Sequence, residues 1–311
     1  ENLKIVEYDK DKVIEIFKRY EFNSLINKVM ATAQENNHNE RDKLSLEIIN
    51  NTEDLEEIVK LLKEKKIMFF KSITTEENIL RDEVVAVAIA VDSSKQYYID
   101  LRRLKDKMAG IHFLKEVLED ESIEKISHDF KNELIHFYPY GINIKHLSFD
   151  TMIGEYLIDP AKSNYNLKEL AAQYFGERIM DEEELRGKGK NKIEVSNVDS
   201  VKLQTYLCQQ VKVVVQLKDL IKGKLEELEL TELYYQVELP LTEVLASMEF
   251  TGIKVDKHML ENLQIEFKEK IDGLTEEIYN LAGDTFNINS PKQLGVVLFE
   301  KLQLPPIKKT K

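Results

Sequence analysis

The sequence predicts a mixed α/β domain followed by an all-α segment. Two short apolar runs, at 66–75 and 84–91, flank a polar turn and indicate a buried β-hairpin at the centre of a sheet. A strand, a helix and a strand follow, at 96–99, 111–118 and 125–127. They complete a β-β-β-α-β order, which is typical of a mixed sheet with flanking helices. After Gly223 the sequence changes to long helices without strands, which predicts the all-α segment.

The chain before the hairpin is predicted to be mostly helical. Residues 1–43 are charged, with apolar residues at helical spacing, and are expected to form a helical arm. A short strand is predicted at 45–49. A helix should follow from about 52 to 64, because Asn51 or Thr52 can cap it and acidic residues occupy its first turn.

Helices are also predicted after the fourth strand. Residues 128–133 open a helix that ends before Pro139. Asp150 is well placed to cap the next helix, at 152–158, by accepting hydrogen bonds from its first amides.

The first domain is expected to close with a long helix. The acidic segment 181–191 contains two glycines and is expected to be a mobile loop. Apolar residues then recur every three or four positions over 200–221, which predicts an amphipathic helix with one buried stripe.

Two apolar stripes dominate the all-α segment. They run from Val237 to Met248 and from Leu260 to Leu281, with a break at Gly252, and Asp256 can cap the second helix. Two such stripes joined by a short connection favour an antiparallel helical hairpin. Ser290-Pro291 then starts a short helix with proline at its first position.

The acidic composition narrows the possible partners and cofactors. With 311 residues and a net charge of -13, the chain is not expected to use its whole surface for nucleic acid, although a local basic patch can bind phosphate. The single cysteine, Cys208, excludes an intrachain disulfide, and its helical setting favours a buried inert thiol over a nucleophile. Six scattered histidines without a Cys or His pair at ligand spacing argue against zinc.

Hydropathy predicts a soluble, cytoplasmic protein with no membrane partner. No apolar run approaches the ~20 residues of a membrane span, and the N-terminus lacks an apolar signal core.

Polar side chains at the end of the first hairpin strand mark a candidate site. Lys71, Ser72 and Thr74 lie where α/β enzymes commonly place catalytic groups, at the carboxyl end of a strand. None of the three is a carboxylate. The sequence therefore predicts a site at this position to which the strand contributes no carboxylate.

Several strings carry a likeness to a known family. They are Ser148-Phe149-Asp150-Thr151-Met152, Leu167-Lys168-Glu169-Leu170-Ala171, Glu238-Leu239-Pro240-Leu241 with Thr251-Gly252-Ile253-Lys254-Val255-Asp256, and Phe286-Asn287-Ile288-Asn289-Ser290-Pro291-Lys292-Gln293-Leu294. In these strings and their order, the chain resembles the family A DNA polymerases of the bacterial DNA polymerase I type. The resemblance implies a ribonuclease H-like domain of the 3'-5' exonuclease type, followed by part of a polymerase thumb.

The resemblance also implies a division of the chain into three parts. Residues 1–43 would be the tail of a linker after a 5' nuclease domain, residues 44–222 the exonuclease-like domain, and residues 223–311 the N-terminal part of the polymerase domain, a partial thumb. The palm and fingers, with the Mg²⁺ site of the polymerase, would follow Lys311. We therefore expect no cofactor in this chain and no primer extension by it.

The family's exonuclease site holds two metal ions with carboxylates, which activate a water against the scissile phosphate. Its first motif is Asp-x-Glu at the end of the first strand, and the corresponding residues here are Lys71-Ser72-Ile73. A cation therefore replaces one carboxylate and an alkyl group the other.

The other two motifs are also incomplete. The family's second motif, Asn-x-x-x-Asp, corresponds here to Asp129 through Glu133, which keeps a carboxylate at the last position. Its third motif, Tyr-x-x-x-Asp, corresponds to Tyr206 through Gln210, which keeps the tyrosine but not the carboxylate. Because Mg²⁺ requires hard oxygen ligands in octahedral geometry, the comparison implies no bound metal and an inactive, vestigial domain that serves as a scaffold.

Alternatives remain open for these residues. Asp129 and Glu133 on one face of a helix form either a solvated face or a functional remnant. Lys71 can form an ion pair with either of them. Tyr206 is expected to be a packed helix residue rather than a catalytic one.

The resemblance implies that the thumb contacts the phosphates of duplex primer-template DNA. The candidate residues lie on the short helix, its approach and the turn beyond it: Asn287, Asn289, Ser290, Lys292, Gln293, Lys308, Lys309 and Lys311. For the last three lysines, a frayed tail is the alternative. Because the rest of the chain is acidic, binding is expected to be weak, and the chain is expected to be a monomer.

Two classes of function follow. In the first, the chain is a noncatalytic part of a DNA-directed DNA polymerase that acts in replication and repair. In the second, it is an active 3'-5' exonuclease with atypical ligands. A third, an unrelated α/β binding module, would require the shared strings to be coincidence. Mg²⁺- or Mn²⁺-dependent degradation of single-stranded DNA separates the first two classes.

Overall fold

The computed structural model describes residues 9–19, 45–75 and 82–305. It divides the chain into two compact units, Glu1–Thr251 and Gly252–Lys311. The elements of the first unit are α1 (Lys10–Arg19), β1 (Ser45–Ile49), α2 (Thr52–Lys65), β2 (Ile67–Thr74), β3 (Val84–Ala90), β4 (Lys95–Asp100), α3 (Lys107–Leu118), β5 (Glu124–Ser127), α4 (Phe130–Phe137), β6 (Leu147–Asp150), α5 (Thr151–Ile158), α6 (Leu167–Phe175), α7 (Glu182–Arg186), α8 (Ser200–Glu227) and α9 (Leu239–Thr251). A short helical turn at Thr231–Leu233 and a π-helical turn at Tyr234–Glu238 precede α9.

A six-stranded mixed sheet forms the centre of the first unit, in the order β1-β4-β3-β2-β5-β6. The predicted hairpin, β2 and β3, pairs antiparallel in the middle of the sheet, which confirms its expected position. Every residue of β3 is buried, as expected for a strand covered on both faces. Strands β2, β5 and β6 run parallel, so their carboxyl ends meet along one edge of the sheet.

Helices cover the sheet and bury its apolar faces. Helix α8 packs across β2, β3, β4 and β5, while α2 and α3 pack against each other beside β2. Asn51 caps α2 by accepting a hydrogen bond from the Asp54 amide, and Cys208 in α8 is buried, both as predicted. The predicted fold class, a mixed sheet with flanking helices followed by a helical segment, is confirmed.

Three local expectations differ from the structure. The segment 181–191 is not a loop throughout, because the Asp181 carboxylate accepts from the Glu184 amide and caps the short helix α7. Helix α8 continues through Gly223 to Glu227, since the burial of Ile221 and Leu225 outweighs the ~1 kcal/mol that a glycine costs in a helix interior. Strand β6 was not predicted, because its four residues give too short a pattern.

The second unit contains a long helix and a short one. Helix α10 (Lys257–Ala282) begins at its predicted cap, Asp256, and ends at Gly283, whose φ of 64° suits glycine. Helix α11 (Pro291–Gly295) has the predicted proline at its start and is followed by a π-helical turn at Val296–Lys301. The pairing of two apolar stripes in a helical hairpin stays a prediction.

Some predictions fall outside the described residues. Of the helical arm at 1–43, the structure describes 9–19, where α1 lies. Lys308, Lys309 and Lys311 also lie outside. None of the described helices is long and apolar enough to cross a membrane.

Candidate functional site

A cavity of about 660 Å³ opens where the carboxyl ends of β2 and β5 meet. Its lining comes from β2, the β5–α4 turn, helices α4 and α5, the starts of α6 and α7 with the segments before them, and α8. The residues are Lys71, Ser72, Ile73, His128, Asp129, Asn132, His136, Met152, Tyr165, Asn166, Leu167, Lys168, Ile179, Met180, Asp181, Glu182, Glu183, Tyr206 and Gln210. Five of the six predicted exonuclease-site residues line it. The sixth, Glu133, lies beneath the wall and bonds to Ser72. The structure therefore brings all six together.

A buried ion pair joins Lys71 to Glu133. The Lys71 Nζ lies 2.5 Å from Glu133 Oε1 and also donates to the His128 carbonyl oxygen at 2.7 Å. Glu133 is fully buried. The alternative of a solvated helix face is thus wrong for Glu133, and of the two pairing partners considered for Lys71, the structure has Glu133.

Electrostatics keep Lys71 charged. Burial by itself lowers the pKa of Lys71, but the carboxylates of Glu133 and Asp129 outweigh it, so the pKa lies above its usual range. An ammonium ion is therefore a fixed part of this cavity near neutral pH.

The second oxygen of Glu133 is held by Ser72. The Ser72 hydroxyl donates to Glu133 Oε2 at 2.5 Å, and the Ser72 amide donates to the same oxygen at 3.2 Å. Since the hydroxyl proton points to the carboxylate, the Ser72 oxygen accepts from His136 Nδ1, at 2.7 Å. Burial and the charge of Lys71 lower the pKa of His136, although Glu133 opposes them, so the ring is neutral with its proton on Nδ1.

Asp129 is a helix cap rather than a member of the helix face. Its φ of 64° turns the chain from β5 into α4, and its carboxylate accepts from the side chain of Asn132 at 2.6 Å. The amides of Asp129 and Phe130 donate to the Asp150 carboxylate at 3.0 and 2.7 Å. The Asp129 backbone is thereby held over the end of β6.

Asp150 ties the site to a distant helical turn. Its carboxylate caps α5, as predicted, and burial raises its pKa to about 6 against the opposing effect of the amide donors. The Tyr234 hydroxyl accepts from the Asp150 amide at 2.6 Å and donates to the Asp150 carbonyl oxygen at 3.1 Å. Tyr234 is fully buried and belongs to the π-helical turn before α9.

The remaining predicted positions lie on α8. Tyr206 packs against the core, and burial raises its pKa although a hydrogen bond with Gln210 opposes that shift. This location agrees with the expectation of a packed residue. Gln210 presents an amide where the family has a carboxylate.

The residues present do not fit a pair of divalent metal ions. Both oxygens of Glu133 already accept from Lys71 and Ser72, and an ammonium, an alkyl group and an amide stand at the other three positions, Lys71, Ile73 and Gln210. Within the described part of the chain, no group of three or more His, Cys, Asp or Glu side chains is placed to hold a metal ion.

The candidate DNA-contacting residues form a local turn in the second unit. The Asn287 amide donates to Gln293 Oε1 at 2.7 Å, and the Asn289 amide donates to Asn287 Oδ1 at 3.0 Å. Ser290 caps α11 by accepting from the Gln293 amide. Lys292 is exposed. These side chains lie close together, and several are already used to build the turn.

Sequence reasoning missed three site residues. The residues predicted from the sequence do not include His128, His136 or Tyr234, and they include Ser72 for its position alone. His136 follows Glu133 by three positions, a spacing that places both on one helix face and could have drawn attention to it. The contact of Tyr234 with Asp150 spans 84 residues and has no local signal.

Comparisons with known proteins match both parts of the chain. The family DNA polymerase I, ribonuclease H-like domain, matches residues 70–217, and DNA polymerase family A matches residues 257–311. DNA polymerase I of Geobacillus stearothermophilus is 31% identical over 303 residues, which are 97% of this chain and 33% of that protein. DNA polymerase I of Lactococcus lactis subsp. cremoris is 36% identical over 243 residues, which are 78% of this chain and 26% of that protein.

A solved structure shares the fold. It is the POL domain of Pol1 from M. smegmatis in complex with DNA primer-template and dNTP, with a TM-score of 0.67 and 26% identity, covering 86% of this chain and 42% of that one. The chain spans about a quarter to a third of the length of the curated relatives it matches. From these matches and from the sheet and cavity described above, the chain belongs to the DNA polymerase I family and carries its ribonuclease H-like, exonuclease-type domain together with part of its family A polymerase region.

Proposed function

We propose that this chain is part of a bacterial DNA-directed DNA polymerase that acts in replication and repair in the cytoplasm, and that its exonuclease-like domain does not cleave DNA. We assign residues 44–222 to that domain and residues 223–311 to the polymerase region. The observation that carries the proposal is the 2.5 Å ion pair between Lys71, which lines the cavity, and Glu133, which is buried beneath its wall.

The chemistry of the cavity supports the loss of nuclease activity. Two-metal hydrolysis of a phosphodiester needs carboxylates that hold both ions beside the scissile phosphate. In this cavity the retained carboxylate of Glu133 is neutralised by Lys71 and saturated by Ser72. A metal ion would have to displace a buried ammonium from its partner, which leaves two desolvated like charges close together.

A scaffold role is supported by the opposite side of helix α4. This helix carries Glu133 toward the cavity and packs against α9 elsewhere. Lys131 pairs with Glu249 at 2.6 Å, and the rings of Tyr138 and Phe250 lie 5.2 Å apart. The same short helix thus covers the exonuclease-type site and supports α9, a helix in the assigned polymerase region.

DNA contact is proposed for the second unit. The solved relative binds primer-template DNA, and the matching region here presents the turn at 287–293 with the exposed Lys292. The first amides of a helix favour phosphate, and lysines add charge without reading sequence. Thus the partner would be duplex primer-template DNA, bound weakly by this chain alone.

A nuclease assay on a restored variant tests the proposal. The unchanged chain should leave 5'-labelled single-stranded DNA intact in about 5 mM Mg²⁺ or Mn²⁺. The triple variant Lys71→Asp, Ile73→Glu, Gln210→Asp returns the missing carboxylates and should gain metal-dependent cleavage. Adding Glu133→Ala to the triple variant should abolish the gain.

One outcome would contradict the proposal, and a second would contradict the loss of ligands as its cause. Metal-dependent degradation by the unchanged chain that disappears with Glu133→Ala would favour the alternative of an active exonuclease with atypical ligands. A restored variant that folds, as judged by circular dichroism, but neither binds Mn²⁺ nor cleaves DNA would show that the cavity no longer has the geometry of the family site.

A further inference from the structure

Helix α7 and the chain that follows it form part of the wall of the candidate site. Residues 181–183 line the cavity described above, and Glu182 and Arg186 line a second cavity of about 340 Å³. Three further side chains belong to both linings: Ser72, His136 and Tyr206. We call residues 181–194 the flap. Because residues of the flap and of the sheet edge lie in both linings, the flap divides one cleft into two cavities.

The flap is held firmly at both ends. Before it, the Met180 amide donates to Gln209 Oε1 at 2.8 Å. After it, the Arg102 guanidinium donates to three carbonyl oxygens of the turn at 195–198, at 2.8 to 3.4 Å. Arg102 also donates to both oxygens of the buried Asp100 carboxylate, at 2.9 and 2.7 Å. A planar guanidinium with partners on every side keeps this turn in place.

Between its ends the flap has little apolar anchorage. Among residues 181–194, Leu185 is the only one that is buried, and Ile193 is 44% exposed. Gly187 has a φ of 86°, and a Cβ atom there would lie 2.7 Å from the Asn191 carbonyl oxygen, so this bend requires glycine. Segments with few buried apolar contacts open at a lower free energy than the core does. The flap is therefore able to open without unfolding of the sheet.

Two lysines of the surrounding helices fasten the flap. Lys168 on α6 pairs with Asp181, the cap of α7, and lies 3.7 Å from the Glu184 carboxylate. Lys202 on α8 donates to the Leu185 carbonyl oxygen at 3.0 Å. The side chains of Lys168 and Asp181 are each 29% exposed, so dissolved salt reaches and screens their pair. Contacts that salt weakens thus hold the middle of the flap.

We propose that the flap is a gate over the cleft, which opens between its two fixed ends when the ion pair of Lys168 with Asp181 is released. Opening moves the carboxylates of residues 181–183 away from the cavity and joins the two cavities into one cleft. The closed flap limits access to His136, which lies in both linings. The proposal concerns access to the cleft and does not depend on whether the domain cleaves DNA.

Hydrogen exchange of the flap amides tests the opening. Raising the salt concentration from about 0.1 to 1 M shortens the Debye length from about 10 to 3 Å. This change should speed exchange at Leu185 and Gly187, two amides that are hydrogen-bonded in α7. Lys168→Met should speed the same amides roughly two- to fivefold at low salt and reduce the effect of added salt. Lys218→Met breaks a pair within α8 and should leave them unchanged, and exchange within α8 should stay constant throughout.

Chemical modification of His136 tests whether the flap controls access. Diethyl pyrocarbonate modifies neutral imidazole rings, and peptide mass spectrometry follows each histidine separately. Modification of His136 should speed up by the same factor as flap exchange, both in high salt and in Lys168→Met. His258, whose side chain is 95% exposed, should keep its rate and serves as the internal control.

Three results would overturn the proposal. Flap amides that exchange as slowly as those of α8 under all conditions would show that the segment is a rigid wall. Equal acceleration in Lys168→Met and Lys218→Met would show that the pair with Asp181 does not fasten the flap. Faster flap exchange without faster modification of His136 would show that the flap moves but does not control access to the cleft.

Discussion

Lys71 and Glu133 depend on each other, because each would be an uncompensated buried charge without the other. Glu133 is fully buried, and the side chain of Lys71 is 11% exposed. Breaking a buried ion pair from one side costs roughly 3–5 kcal/mol, whereas neutralising both partners costs much less. The buried pair therefore favours the form of the cavity that holds no metal ion.

The first prediction concerns this pair. Lys71→Met should lower the free energy of unfolding by about 3–5 kcal/mol, measured by urea denaturation, because Glu133 is left charged and buried. Lys71→Met combined with Glu133→Gln should recover most of the loss, since the amide still accepts from Ser72. Lys63→Met breaks the exposed pair with Glu116 and should change the stability far less than Lys71→Met does. Equal losses in the two single variants would contradict the buried-pair account.

The second prediction concerns His128. Burial and the charge of Lys71 lower its pKa to about 3, so the folded protein keeps the ring neutral while the unfolded chain protonates near 6.5. The stability that His128 provides is therefore present above pH 6.5 and is lost as pH falls toward 3. The loss is at most about 1.4 kcal/mol per pH unit.

Thermal unfolding between pH 7 and 4.5 measures the effect. His128→Asn should give a shallower decline of Tm with falling pH than the unchanged chain. His258→Asn removes a histidine whose side chain is 95% exposed and should leave the slope unchanged. If His128→Asn keeps the original slope, the buried neutral ring is not the source of acid sensitivity.

For single residues, the sequence predicts which positions belong to the site but not which side chains pair with each other. The motif comparison located Lys71 and Glu133, since their residue types are visible in the chain. Their pairing could not be chosen over Asp129, because the turn at Asp129 with φ of 64° rotates that carboxylate toward Asn132. The tautomer of His136 likewise depends on the direction of a serine proton.

Among the elements, the π-helical turn before α9 has the clearest structural role. Tyr234 satisfies both the amide and the carbonyl group of Asp150, and its ring lies 5.0 Å from that of Phe149. Asp150 in turn holds the Asp129 and Phe130 amides. One hydroxyl thus links the end of β6, the cavity rim and the start of α9.

The third prediction tests this link. Tyr234→Phe leaves a buried amide and a buried carbonyl group without their partner and should cost about 1–3 kcal/mol. Hydrogen exchange of the Asp150 amide should accelerate with it. Tyr235→Phe, at a ring that is 38% exposed, is the matched control and should change neither quantity. Unchanged exchange at Asp150 in Tyr234→Phe would contradict the link.

Elements with strong periodicity could be predicted, and elements set by tertiary contacts could not. The apolar patterns predict the hairpin and helix α10, and Asp256 predicts where α10 begins. Helix α7 depends on a single Asp181 cap, and Lys168 pairs with that carboxylate from α6. Helix α8 passes its glycine because the sheet buries the residues around it.

For the whole molecule, we expect charge to confine the proposed DNA binding to the second unit. The chain carries a net charge of -13, so a duplex is repelled by most of its surface. In the described turn at 287–293, Asn287 and Gln293 already accept hydrogen bonds within the turn. Lysine charge is left as the main source of affinity.

The fourth prediction follows for duplex DNA. Binding should lie in the non-specific range of roughly 10⁻⁴ to 10⁻⁶ M, with a log-log salt slope of about -3. Alanine at Lys292, Lys308 and Lys309 together should abolish it without lowering Tm. Alanine at Lys60, Lys105 and Lys190 removes the same charge from the first unit and serves as the control. Fluorescence anisotropy showing equal losses in both triple variants would contradict a localised contact.

Calorimetric titration with Mn²⁺ tests most directly whether the Lys71–Glu133 pair stands in place of the family's metal site. The unchanged chain should give no specific binding, while Lys71→Asp, Ile73→Glu, Gln210→Asp should gain it. The account is contradicted if the unchanged chain binds two Mn²⁺ ions at sites that disappear in Glu133→Ala.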